Sequence, residues 1–104
     1  MNFLQETLDV MDRNFKTIDD IDFMNIPEDY HKDKSWYDSK YTTIFDFNKF
    51  KEYANKIGDY DNGYGGAEVP EETEIVFKDG TWLSRSEYDG SEWWEYNRTP
   101  TILI

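Results

Sequence analysis

A chain of 104 residues with 23 Asp plus Glu against 11 Lys plus Arg carries a formal charge of −12. That balance excludes general binding to duplex DNA or RNA and to anionic membranes, because both rest on Lys and Arg neutralising phosphates. Such charge alone would suggest disorder, but 18% of the residues are aromatic, and rings bury large areas, so the composition is that of one folded acidic domain with a modest core.

The first predicted element is a helix near residues 3–17. Phe3 or Leu4, Leu8, Met11, Phe15 and Ile18 recur at three- and four-residue spacing, a pattern that reads as core packing. Asn2 is placed to cap it, with Glu6 and Asp9 near the positive end of its dipole. Residues 19–44 are irregular in pattern. Pro27 ends any helix near Asn25 and Ile26, while Trp36-Tyr37 and Tyr41 to Phe45 have the composition of short strand or extended packing. A second helix is expected over 47–57, with Asp46 as cap, Phe47, Phe50, Tyr53 or Ala54, and Ile57 on one face, and Gly58 as the stop.

Residues 58–72 read as a long acidic, Gly-rich loop, of the kind that is either functional or disordered. The C-terminal third reads as a three-stranded antiparallel meander, with strands near 73–78, 81–87 and 91–98. Asp79-Gly80 signals a two-residue hairpin. For the next turn a three-residue Tyr88-Asp89-Gly90 loop is expected, because a two-residue loop would set Glu87 opposite Glu92. That register puts Ile75, Phe77, Trp82, Trp94 and Tyr96 on the core face. It leaves Leu83, Arg85, Glu87, Trp93 and Glu95 on the other, with Arg85 beside Trp93. The expected architecture is α+β, two helices on a three-stranded meander, as a single domain.

Chemistry-bearing patterns are sparse. The chain has no Cys, so it offers no disulfide, thiolate or Cys-ligated metal. The start, Met1 to Glu6, has no basic segment followed by a long apolar run, so no signal peptide is expected, and the location expected is the cytoplasm. His31, between Asp29 and Asp33, is a poor match in spacing to a metal site and reads as a surface residue. Asp59-Tyr60-Asp61-Asn62-Gly63 lacks the acid and glycine positions of a calcium loop. The Gly-rich stretch lacks the Gly-Lys-Ser/Thr ending of a phosphate cradle. Glu87, Glu92 and Glu95 could pose as a catalytic carboxylate pair, but a small sheet rarely builds the cleft such a pair needs, and they read as acidic surface. No enzyme activity, cofactor or metal is expected.

What remains is protein binding. The charge is concentrated at the ends of the chain: residues 58–104 hold eleven acids and three bases, whereas residues 36–57 hold three acids and four bases. Two candidate surfaces follow. One is the loop, with Asp59, Tyr60, Asp61, Tyr64, Glu68, Glu71 and Glu72, where acids steer a basic partner and tyrosines supply contact area. The other is the hairpin, with Glu87, Asp89, Glu92, Trp93 and Glu95, where one ring sits among charges. Each has an alternative reading, as a solvated loop and as a second packing face.

The stretch Trp82-Leu83-Ser84-Arg85-Ser86-Glu87-Tyr88-Asp89-Gly90-Ser91-Glu92-Trp93-Trp94-Glu95, followed by Pro100, resembles a C-terminal signature of small acidic proteins encoded by phages and prophages. The resemblance covers under a fifth of the chain. By analogy with inhibitors of host defence among such proteins, anti-CRISPR proteins and DNA mimics included, it implies a non-enzymatic inhibitor of a bacterial defence nuclease. The partner it implies is a basic protein whose nucleic-acid channel the acids would occupy. A bacterial immunity protein against a basic toxin and a small phage assembly protein are the alternatives.

Overall fold

In chain order the protein contains α1 (Phe3–Arg13), a single 3₁₀ turn (Ile18–Asp20), β1 (Ile21–Pro27), β2 (Tyr41–Ile44), α2 (Phe47–Ile57), β3 (Glu74–Phe77), β4 (Trp82–Tyr88) and β5 (Ser91–Asn97). The computed structural model describes residues 1–31, 40–61, 63 and 68–100. Asp33, Trp36, Tyr37, Asn62 and Tyr64 lie outside the described residues.

The class is α+β, as expected, but the sheet has five antiparallel strands in the order β2-β1-β3-β4-β5 rather than three. The two additional strands come from the stretch whose pattern was irregular. β1 alternates Asp22, Met24 and Ile26 with Phe23 and Asn25, and its register shifts between Ile21 and Phe23. That irregularity and the terminal Pro27 blur the two-residue period. Pairing rescues the strand: Met24 sits opposite both Ile44 and Ile75.

Both helices cover one sheet face. Met24, Ile26, Ile44, Ile75, Phe77, Leu83 and Trp94 point into a core shared with Phe3, Met11, Phe50, Tyr53 and Ile57. Phe3 is its hub, stacked on Trp94 with ring centroids 5.6 Å apart and edge-on to Tyr53 and Tyr60 at 6.2 and 6.0 Å. Both caps form as expected: the side chain of Asn2 accepts from Gln5 N and that of Asp46 from Asn48 N. No helix among the described residues is long and apolar enough to cross a membrane.

Helix α1 is shorter than its apolar stripe implied. It ends at Arg13, and Phe15, with φ +59°, turns the chain out so that its ring is 92% exposed. Ile18 is exposed as well. The buried face is Phe3, Glu6, Thr7, Val10 and Met11, with Leu4 and Leu8 at its margin. A threonine and a glutamate occupy positions that a purely apolar reading skips.

The two hairpins exchange their expected loop lengths. At the first, Phe77 N donates to Thr81 O and only Gly80 has positive φ, a three-residue loop. Asp79 stabilises it by accepting from Thr81 N at 3.0 Å. At the second, Asp89 and Gly90 have φ of +51° and +85°, the signature of a two-residue primed turn, with Tyr88 opposite Ser91. Glu87 and Glu92 are therefore cross-strand neighbours after all. Their repulsion is removed locally, because Arg85 neutralises Glu92 and Glu87 Oε1 accepts from Gly90 N at 3.0 Å. A one-residue slip inverts a strand. Two slips cancel for β5 but leave β4 reversed: Leu83 and Arg85 face the core, and Trp82 faces away.

Candidate functional site

The reversal of β4 places an arginine in the interior, and the site is built around it. The Arg85 side chain is 3% exposed. Its guanidinium lies between three rings, 4.9 Å from the Trp94 centroid, 5.3 Å from Phe3 and 5.8 Å from Tyr60. Nη2 donates to Glu92 Oε1 at 3.1 Å and to the Tyr60 hydroxyl at 3.0 Å, and Nη1 is 3.5 Å from Glu6 Oε1. Arg85 Nε and Nη1 make no hydrogen bond among the described residues. The Tyr60 hydroxyl donates to Glu6 Oε1. Burial, then this bond to a carboxylate, pushes the Tyr60 hydroxyl well above the usual tyrosine range. The cluster holds two carboxylates for one guanidinium, so it stays electronegative inside the fold.

The cluster ties four chain segments together. Glu6 comes from α1, Tyr60 from the loop, Arg85 from β4 and Glu92 from β5. Glu92 also accepts from Glu68 N and Val69 N at 2.5 and 3.0 Å, fixing the far end of the acidic loop. The near end is fixed by backbone: Asp59 pairs with Asn2, and Tyr60 N donates to Met1 O. Asp61 N reaches Glu68 Oε2 at 3.2 Å, closing the two ends on one another.

Outside the cluster, α1 and β5 flank a cleft of about 620 Å³ lined by Met1, Glu6, Asp9, Asp12, Arg13 and Trp93. The three-residue spacing of Glu6, Asp9 and Asp12 puts the acids along one side of α1. Trp93, 40% exposed, forms the opposite wall. Glu6, only 8% exposed, is common to the cleft and the Arg85 cluster.

The expected contact residues divide into groups. Tyr60 and Glu92 are buried members of the Arg85 cluster, so Glu92 is not the surface acid that its sequence context implies. Arg85 is likewise withdrawn from the side of Trp93, because Ser86, not Arg85, lies opposite Trp93. Asp59, Asp61, Glu68 and Trp93 are exposed and belong to the end of the molecule that carries the cleft. Glu71 and Glu72 are exposed at the other edge of the sheet, beside Tyr41 of β2, whose hydroxyl is raised first by burial and further by these two charges. Glu87 and Asp89 form the tip of the second hairpin, and Glu95 accepts from Ser86 on the uncovered sheet face. His31 pairs with Asp29 at 2.9 Å and is exposed. Among the described residues no three His, Asp or Glu come together as metal ligands.

Asp9 and Asp12 line the cleft but are not among the expected contact residues. Their signal is an acid at every third position from Glu6, of which the helix-dipole argument uses only Glu6 and Asp9. Comparison of the chain with protein-family models, with curated proteins and with solved structures finds no match.

Proposed function

We propose that this chain is a non-enzymatic inhibitor that lays an acidic surface on the nucleic-acid-binding face of a basic protein, in the manner of a phage-encoded inhibitor of a bacterial defence nuclease. The observation that carries this reading is the end of the molecule where Asp59, Asp61 and Glu68 are held beside the cleft bearing Asp9, Asp12 and Trp93. These carboxylates are carried on a backbone pinned at both ends of the loop by Glu92 and Met1. Fixed carboxylates are what imitation of a phosphate backbone requires, since a flexible acidic tail would lose entropy on every contact. The exposed Trp93 supplies the anchor that a purely electrostatic surface lacks.

The test is capture from bacterial lysate at low salt and at about 0.5 M salt, where screening shrinks to a few ångströms, followed by nuclease assays on the captured protein. The expected result is a nuclease that is captured at low salt, released at high salt, inhibited by this chain and protected from it by excess duplex DNA. Charge reversal at Asp59, Asp61 and Glu68 to Lys should abolish inhibition. A captured nuclease that keeps full activity with this chain bound would overturn the reading.

A further inference from the structure

We infer that the cleft between α1 and β5 receives a single arginine side chain of the partner protein, its guanidinium stacked on Trp93 and paired with Asp9 and Asp12. The inference rests on the reading of the chain as a binder of basic proteins and names the chemistry of one contact within it.

Three observations converge on this occupant. The first is the lining. Of the six residues around the cleft, three are carboxylates and one is a half-exposed indole, a combination complementary to a planar cation. The second is Glu6. Its side chain is more than nine-tenths buried and lines the cleft, and both of its polar contacts, from Tyr60 and Arg85, fall on Oε1. Glu6 and Glu92 share the single Arg85 guanidinium, so the charge of Glu6 is not fully cancelled and adds to those of Asp9 and Asp12 in the cleft. The third is internal precedent. Arg85 is held by the same ingredients, an indole face at 4.9 Å and the carboxylates Glu92 and Glu6 at 3.1 and 3.5 Å, on the other side of Glu6. Trp93 and Trp94, adjacent in β5, face opposite sides of that strand, so one tryptophan serves the internal guanidinium and its neighbour is free to serve an external one.

One cation already has access. Arg13 lines the cleft and makes no ion pair among the described residues. It lies four residues after Asp9 on the same helix, within reach of it. Arg13 is thus an intramolecular competitor for the seat.

The experiment uses N-acetyl-arginine amide titrated into the isotope-labelled full chain, with chemical shifts read at the Trp93 indole N–H and the backbone amides of Asp9 and Asp12. Saturable shifts at these three groups are expected. N-acetyl-citrulline amide, which keeps the shape and loses the charge, should give none. The lysine analogue should bind about two- to fivefold more weakly, lacking the planar fork. Trp93→Ala should weaken binding by about two- to fivefold, and the pair Asp9→Asn with Asp12→Asn should remove saturation. Arg13→Gln should tighten it. All four positions are exposed, so the variants keep the core. Equal shifts with citrulline amide, equal binding of the lysine analogue, or unchanged binding in the Asp9/Asp12 variant would overturn the inference. Because the titration uses no partner, it can fail while nuclease inhibition stands, and nuclease inhibition can fail while the cleft still takes the probe.

Discussion

Two cations among the described residues sit over aromatic rings beside a carboxylate, in different surroundings. Arg85 lies among Trp94, Phe3 and Tyr60, with carboxylate partners 8% and 2% exposed. Lys16 lies 5.7 Å from the Phe77 ring and 5.9 Å from that of Tyr96, paired with an Asp79 that is half exposed. The ingredients match, and the dielectric does not. In the interior a charge can be removed only by leaving its partners desolvated and unpaired, whereas at the surface water takes its place. The Arg85 cluster should therefore decide whether the chain folds, while the Lys16 pair should adjust stability only slightly. The same contrast separates the carboxylates: Glu6 and Glu92 are held in the interior, and Asp9, Asp12, Asp59, Asp61 and Glu68 are exposed.

Removing the buried cation is the severest way to test this contrast. Arg85→Ala leaves Glu6 and Glu92 as uncompensated interior charges, at a cost of about 3–5 kcal/mol. In a domain of this size that is a fall of more than about 10 °C in the unfolding midpoint. Arg85→Lys should rescue little, since a point charge cannot reach both carboxylates while lying flat between rings. Calorimetry on the two variants checks both statements, and a fall no larger than that of Lys16→Met would end the comparison.

Glu92→Gln is a gentler cut at the same cluster. The amide keeps the size and one acceptor oxygen, but it loses the charge that holds Arg85, Glu68 N and Val69 N. About 2 kcal/mol should be lost, the range for a hydrogen bond to a charged group. Amide hydrogen exchange should quicken at Glu68 and Val69 more than in the α2 helix. Uniform quickening would mean that Glu92 supports the whole fold rather than the loop.

The parts of the fold that could be read from the sequence were those specified by local chemistry. Asp46, Phe50, Tyr53 and Ile57 specify α2 without help from elsewhere. The three C-terminal strands were legible because Asp-Gly steps punctuate them, but their register was not, since loop length depends on interactions made across the turn. Asp79 gripping Thr81 lengthens the first hairpin, and Arg85 neutralising Glu92 permits the shorter second one. β2 falls in the Tyr41 to Phe45 stretch that has the composition of a short strand, whereas β1 exists through its pairing with β2 and β3, which no local pattern records. Trp93 was legible as an exposed ring. The α1 wall of its cleft was not, because only the packing of α1 against β5 through Trp94 Nε1 and Thr7 Oγ1, 2.9 Å apart, brings Asp9 and Asp12 near it.

The smallest expected effect belongs to the surface pair, and its pH dependence sharpens the contrast. Hydrogen bonding to Lys16, and next to Thr81, holds the Asp79 carboxyl below its usual 3.8, and the bond to Asp79 raises the Lys16 ammonium above its usual 10.5. A lowered carboxyl contributes stability above the ordinary value and loses it as pH falls through the folded one. A raised ammonium contributes below its ordinary value and loses it as pH rises beyond. The pair should therefore act at full strength between about pH 5 and pH 9 and fade at both extremes. Lys16→Met keeps the stem that packs on Phe77 and Tyr96 and removes only the charge. At pH 7 its midpoint should fall by less than about 4 °C. The gap between wild type and variant should close in strong acid, where Asp79 is protonated, and again in strong alkali, where Lys16 is neutral. A gap that persists unchanged at both ends would assign the effect to packing over the two rings instead of to the ion pair.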